Sequence, residues 1–187
     1  MWWVILIIVV VVVLLVVWLV SLYNRLVRLR VETQQGWANI DVQLRRRYDL
    51  VPNLVETVKG YASHERGVFE EVTKARTSAL SASGPAQAGE ANNMLTRALG
   101  GLFAVAENYP DLKASSNFLQ LQTELANVEE MLAAARRYYN STVARYNSTQ
   151  KTVPTVFVAK MGDFAPAEFF EEDDDAVRAA PQVSFDN

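Results

Sequence analysis

An all-α chain is the fold class this sequence predicts: a single N-terminal transmembrane helix followed by a long antiparallel bundle of three or four helices. Three observations carry it. Residues 1–20 are apolar without exception. From Trp37 onward apolar residues recur at three- and four-residue steps, the period of a helix with one buried stripe. Strand-like patterning is confined to residues 153–158, too short a run to build a sheet.

The first element is a membrane anchor over residues 1–23. A helix over Trp2 to Val20 covers roughly 28 Å, the thickness of a bilayer's hydrocarbon core. The run is rich in valine and isoleucine, which favour strands in water, but an isolated strand in lipid leaves its backbone unpaired, so the helix prevails. No charge precedes the run, and bulky Trp18, Leu19 and Leu22 crowd its end, unlike a cleavable signal peptide. Trp2, Trp3, Trp18 and Tyr23 stand where interfacial aromatics anchor such a helix. Arg25, Arg28 and Arg30 follow it, and the positive-inside rule then puts the N-terminus outside and the bulk of the chain in the cytoplasm.

Residues 24–36 read as a juxtamembrane helical linker, and residues 37–153 as the bundle. Trp37, Ile40, Leu44, Val51, Val55 and Val58 form the first stripe, continued by Phe69 and Val72. Pro52 should kink this stretch or divide it near Leu50. SASGPAQAG (81–89) reads as a loop by its composition. A second helical pattern covers about residues 88–108, with Gly100-Gly101 in its middle expected to mark close helix packing. Tyr109-Pro110-Asp111 ends it. The strongest pattern follows: Phe118, Leu121, Leu125, Val128, Leu132, Ala135, Tyr139, Thr142 and Tyr146 keep a near-heptad spacing in a helix expected from Asp111 to Thr152. Val153-Pro154 stops it. Residues 154–170 form an aromatic segment, and 171–187 an acidic tail whose EEDDD run is expected to be disordered. Residues 161–187 carry a net charge of −7, against +4 for residues 1–160.

Composition narrows the chemistry. With no cysteine there is no disulfide, thiolate zinc site, iron–sulfur cluster or thiol nucleophile in this sequence. His64 is the single histidine; beside Glu65 it makes half of a metalloprotease pattern, but position 68 is valine. Asp49 and Glu56 lie two helical turns apart and read as a solvated face. Neither a cofactor, a metal nor a catalytic constellation is expected, and a net acidic chain without a broad basic face does not read as a nucleic-acid binder.

Several blocks in order carry a family resemblance: WANIDVQLRRRYDLVPNLVETVKGYASHE (37–65), VTKAR (72–76), YPDLKA (109–114), FLQLQTELANVEEMLAAARRYYNSTVARYN (118–147) and FF (169–170). The chain closely resembles LemA family proteins, with Gly36 where the family pattern has alanine. The resemblance implies a membrane helix followed by a helical bundle, with no enzymatic activity and no cofactor. It also implies two associations: magnetosome membrane building in one relative, and a neighbouring membrane zinc metalloprotease.

The candidate interaction surface comprises Arg45, Arg46 and Arg47, the amides of the repeated Tyr-Asn pairs (Asn140 and Asn147), and Phe164, Phe169 and Phe170. For the arginines, salt bridging within the bundle is the first reading, with a partner protein or lipid behind it. For the Tyr-Asn pairs, seven residues apart on one helix face, buried rings with hydrogen-bonded amides come before a contact between subunits. The expectation is a membrane-anchored scaffold of a bacterial inner membrane, seated in the bilayer through residues 2–20 and homo-oligomeric. The alternative is an adaptor or regulator of a membrane-bound zinc metalloprotease.

Overall fold

In a computed structural model that describes residues 1–171, six helices and no strand are found among the described residues: α1 (Trp2–Lys59), α2 (Arg66–Ser81), α3 (Gly84–Glu107), α4 (Pro110–Lys113), α5 (Ser116–Lys151) and α6 (Thr155–Met161). The chain divides into two units. Unit 1 joins Met1–Arg47 to Glu124–Phe169, and unit 2 takes Tyr48–Thr123 with the residues from Phe170 on.

In unit 1, α1 and α5 run antiparallel. Leu26 and Leu29 share a cluster with Tyr146; Glu32 meets Arg145 at 3.3 Å; Trp37 lies against Tyr139, ring centroids 5.8 Å apart; Arg47 meets Glu129 at 2.7 Å. As numbers rise along α1 they fall along α5. Gly36 sits at the closest approach, where a Cβ would stand 3.3 Å from the Cα of Tyr139. The near-heptad residues of α5 are largely buried, Thr142 and Tyr146 included. The buried hydroxyls bond back to their own helix, Thr33 to the Leu29 carbonyl at 2.9 Å and Thr142 to that of Tyr139 at 2.7 Å, so their burial leaves no polar group unsatisfied.

Residues 24–36, read from sequence as a helical linker, are an unbroken part of α1, with Leu26, Leu29, Thr33 and Gly36 buried.

In unit 2, α2 returns along the last turns of α1, and α3 returns along α2 after the two-residue turn Ala82-Ser83. Buried alanines (Ala75 and Ala79 on α2, Ala88, Ala91 and Ala98 on α3) keep side chains small along these helices. The single turn α4 buries Leu112 and redirects the chain, and Phe103 meets Phe118 at 6.4 Å. Phe170 is buried in this unit, and Gly89 leaves room for the backbone of Glu171, whose carbonyl oxygen a Cβ there would strike.

Three expectations need correction: the loop at 81–89, the unbroken third helix and the close packing at Gly100-Gly101. Of the two outcomes open at Pro52, division of the helix does not occur. A proline has no N–H to give the carbonyl four residues back, and here Arg76 Nε donates to that Tyr48 carbonyl at 2.8 Å, replacing the lost helical bond from outside. The stretch 81–89 is helix from Gly84, because Pro85 sits in the first turn, where a missing N–H costs nothing, with Ser83 as N-cap. The third helix is broken by α4 before it starts at Ser116. The apolar run at 153–158, too short for a sheet, leads into helix: residues 155–161 are α6.

Gly100-Gly101 does not mark close packing within the described structure either: both are exposed, and nothing lies within 4 Å of a Cβ built on either.

Candidate functional site

The polar chemistry of unit 1 gathers where α5 grips the segment that follows α6. Residues 164–169 have no regular secondary structure, so their backbone groups need partners from elsewhere. Asn147 supplies two: its Nδ2 donates to the Ala167 carbonyl at 2.8 Å, and its Oδ1 accepts from the Ala167 N–H at 2.9 Å. The side-chain amide thus pairs with a peptide unit as a neighbouring strand would. Tyr139 Oη donates to the Glu168 carbonyl at 2.7 Å, and Gln150 Nε2 to that of Ala165 at 3.3 Å. Tyr139, Asn147 and Gln150 form a clasp.

Burial, aided by the Glu168 carboxylate, pushes the Tyr139 hydroxyl up to about 12. Burial also raises that of Tyr146, against the opposing pull of the Arg30 charge and a hydrogen bond from Gln150. Both tyrosines are therefore neutral hydrogen-bonding groups at ordinary pH.

The strap begins with aromatic contacts. Phe164 is buried among Leu26, Leu29, Tyr146, Val158 and Ala159 and lies edge-on to Tyr23 at 5.3 Å. Gly162 makes the turn before it; a Cβ there would stand 2.5 Å from the Phe164 ring and 3.0 Å from that of Tyr23.

The sequence-selected residues separate accordingly. Arg47 is buried and paired with Glu129, Arg45 is exposed and paired with Asp41 at 3.0 Å, and Arg46 is exposed. Asn147 is a clasp residue, and Asn140 is partly buried on the same helix. Phe164 and Phe170 are buried within their own units, and Phe169 is exposed. Trp2, Trp3, Trp18 and Tyr23 are all exposed. His64 and Glu65 lie exposed in the turn between α1 and α2, not on a helix. No cluster able to hold a metal ion occurs among the described residues. Tail residues 172–187 lie outside the described residues.

Sequence reading missed Tyr139 and Gln150 as strap ligands and the Arg76 bond to Tyr48. It also missed Phe157 and Met161, exposed on α6. A signal existed for that pair, whose spacing of four in an apolar run is helical.

Taken together, these features define an all-α protein whose α1 is, among the described helices, the one long and apolar enough to cross a membrane, with its apolar window wholly unburied. The LemA family pattern matches residues 36–185, and the chain belongs to the LemA family. Among curated relatives, magnetosome proteins MamQ 1 and MamQ 2 of Paramagnetospirillum magneticum are each 27% identical over 180 residues, covering 82% of this chain and 66% of their own length. Protein LemA of Metamycoplasma hominis is 28% identical over 156 residues, covering 81% of this chain and 70% of its own. The chain thus spans a little under two thirds of the MamQ relatives.

Proposed function

We propose that this protein is a membrane-anchored, non-enzymatic scaffold that self-associates at the cytoplasmic face of a bacterial inner membrane, with a role in organising that membrane. The observation that carries the reading is the continuity of α1. One helix contains the apolar residues 2–20 and, without a break, the packed residues 26–47 of unit 1, so that an anchor and a folded body share one stiff element. Arg25, Arg28 and Arg30 support the orientation.

Self-association is supported by apolar residues left outside at helical spacing. Val31 and Val42 stand eleven residues apart on α1, and Met131 and Tyr138 seven apart on α5, all more than two-fifths exposed. The magnetosome relatives named above are consistent with a role in membrane organisation.

The test is the mass of the full-length protein in mild detergent and in lipid nanodiscs. A discrete multimer in both supports the scaffold. A monomer at every concentration removes self-association and moves the search to an adaptor's partner, a membrane protease first.

A further inference from the structure

We propose that α6 is a second membrane contact, lying in the headgroup layer beside the point where α1 leaves the bilayer, with Phe157 and Met161 turned into the lipid. The proposal rests on the reading of α1 as a membrane span. If Trp2 to Val20 fill the hydrocarbon core, residues 19–23 mark its boundary. The end of α6 is at that level: Leu19, Val20 and Tyr23 of α1 line one apolar groove with Val158, Met161 and the adjoining Gly162. The glycine lets the turn after α6 come this close, since a side chain there would strike the rings of Phe164 and Tyr23.

The faces of α6 are sorted for such a position. Thr155, Val158 and Ala159 point inward and are buried, whereas Phe157 and Met161, four residues apart, are 62% and 89% exposed. Val153 just before the helix is exposed as well. Large apolar side chains so placed in water bury nothing. At a bilayer boundary Met161 continues the apolar surface of Leu19, Val20 and Tyr23, and Phe157 stands one turn before it on the same helix.

The surrounding charges fit anionic headgroups: Arg25 and Arg28 on α1, Lys151 at the end of α5 and Lys160 in the last turn of α6 are all exposed, against Asp163 as the acidic residue of 151–164. Seven residues are too few to hold a protein on a membrane alone. Here α1 already confines α6 to the surface, so the helix needs only enough affinity to settle there.

Because the chain has no cysteine, a single nitroxide label can be placed at will. Val10→Cys, Gln35→Cys, Phe157→Cys and Met161→Cys would be made in the full-length protein, labelled, and reconstituted into phosphatidylcholine–phosphatidylglycerol vesicles. Collision rates with oxygen, which enriches in lipid, and with a polar nickel chelate would then be compared. Position 35, exposed on α1 roughly 22 Å beyond Val20, is the aqueous reference, and position 10 reports on the span.

The expected result is oxygen dominance at 10, 157 and 161 and chelate dominance at 35. Chelate dominance at 157 and 161 with oxygen dominance at 10 overturns the proposal and leaves the anchor standing. Chelate dominance at 10 overturns both. Labels at 157 and 161 shielded from both probes and broadened by coupling between copies show a second chain on this face, and overturn it too.

Discussion

Units 1 and 2 are held together in different ways. Unit 1 closes contacts between distant parts of the chain: Glu32 meets Arg145, 113 residues on, and Trp37 lies against Tyr139. Among the described residues its interior holds most of the buried polar side chains, including Arg47, Thr142 and Gln150, whereas unit 2 holds Asn92. Unit 2 is made of helices consecutive in sequence, joined by short turns and packed with alanine and leucine. The difference teaches where specificity is needed. A helix paired with its sequence neighbour has little choice of partner, while two helices brought together from opposite ends of a chain need fixed polar contacts to set their register.

Substitutions test that contrast, beginning with the largest effect. Phe164→Ala in unit 1 should cost about 3 kcal/mol, as deletion of a buried aromatic does, whereas Phe169→Ala, exposed, should stay within about 0.5 kcal/mol. Denaturant midpoints of the two variants measure this, and equal losses would undo the burial assignment. Asn147→Ala should cost about 2 kcal/mol by leaving both the N–H and the carbonyl of Ala167 without their partner. The accompanying sign is faster hydrogen exchange at the Ala167 amide, and unchanged protection there would show that the clasp does not hold the strap.

In unit 2 the polar contact to remove is the one that repairs a helix. Arg76→Ala should cost about 1 kcal/mol by depriving the Tyr48 carbonyl of its donor. Adding Pro52→Ala restores an N–H four residues on, so the double variant should recover much of the loss. Strict additivity in the double-mutant cycle would contradict the repair.

The clasp also sets an alkaline limit. Since Tyr139 ionises near 12 when folded and near its ordinary value of 10 when unfolded, its contribution to stability is whole below pH 10 and is lost as pH rises from 10 through 12. Tyr139→Phe should flatten that part of the stability–pH curve. The smallest effect belongs to the exposed Arg145–Glu32 pair, where Arg145→Ala should change stability by less than about 0.5 kcal/mol.

How much of this could be read beforehand follows the same physics. The stripe of α5 was legible from Phe118 to Tyr146 because one buried face forces a helical period, and most of those side chains are buried. The burial of Tyr139 and Tyr146 was legible for the same reason. What escaped is what has no period. Residues 165–168 (Ala-Pro-Ala-Glu) are held through their backbone, which sequence does not display. Pro52 was legible as a break, but its repair depends on Arg76, 24 residues away. Phe164, Phe169 and Phe170 read alike as docking residues, yet two are buried and one is exposed.

The central claim is that the apolar segment and the body of unit 1 share one uninterrupted helix. Hydrogen exchange over residues 18–36, measured on the full-length protein in lipid nanodiscs, tests it most directly. The account predicts continuous slow exchange from Trp18 through Gly36, with no gap at residues 21–25. A run of fast-exchanging amides between Ser21 and Arg30 would show a hinge between anchor and body, and would contradict it.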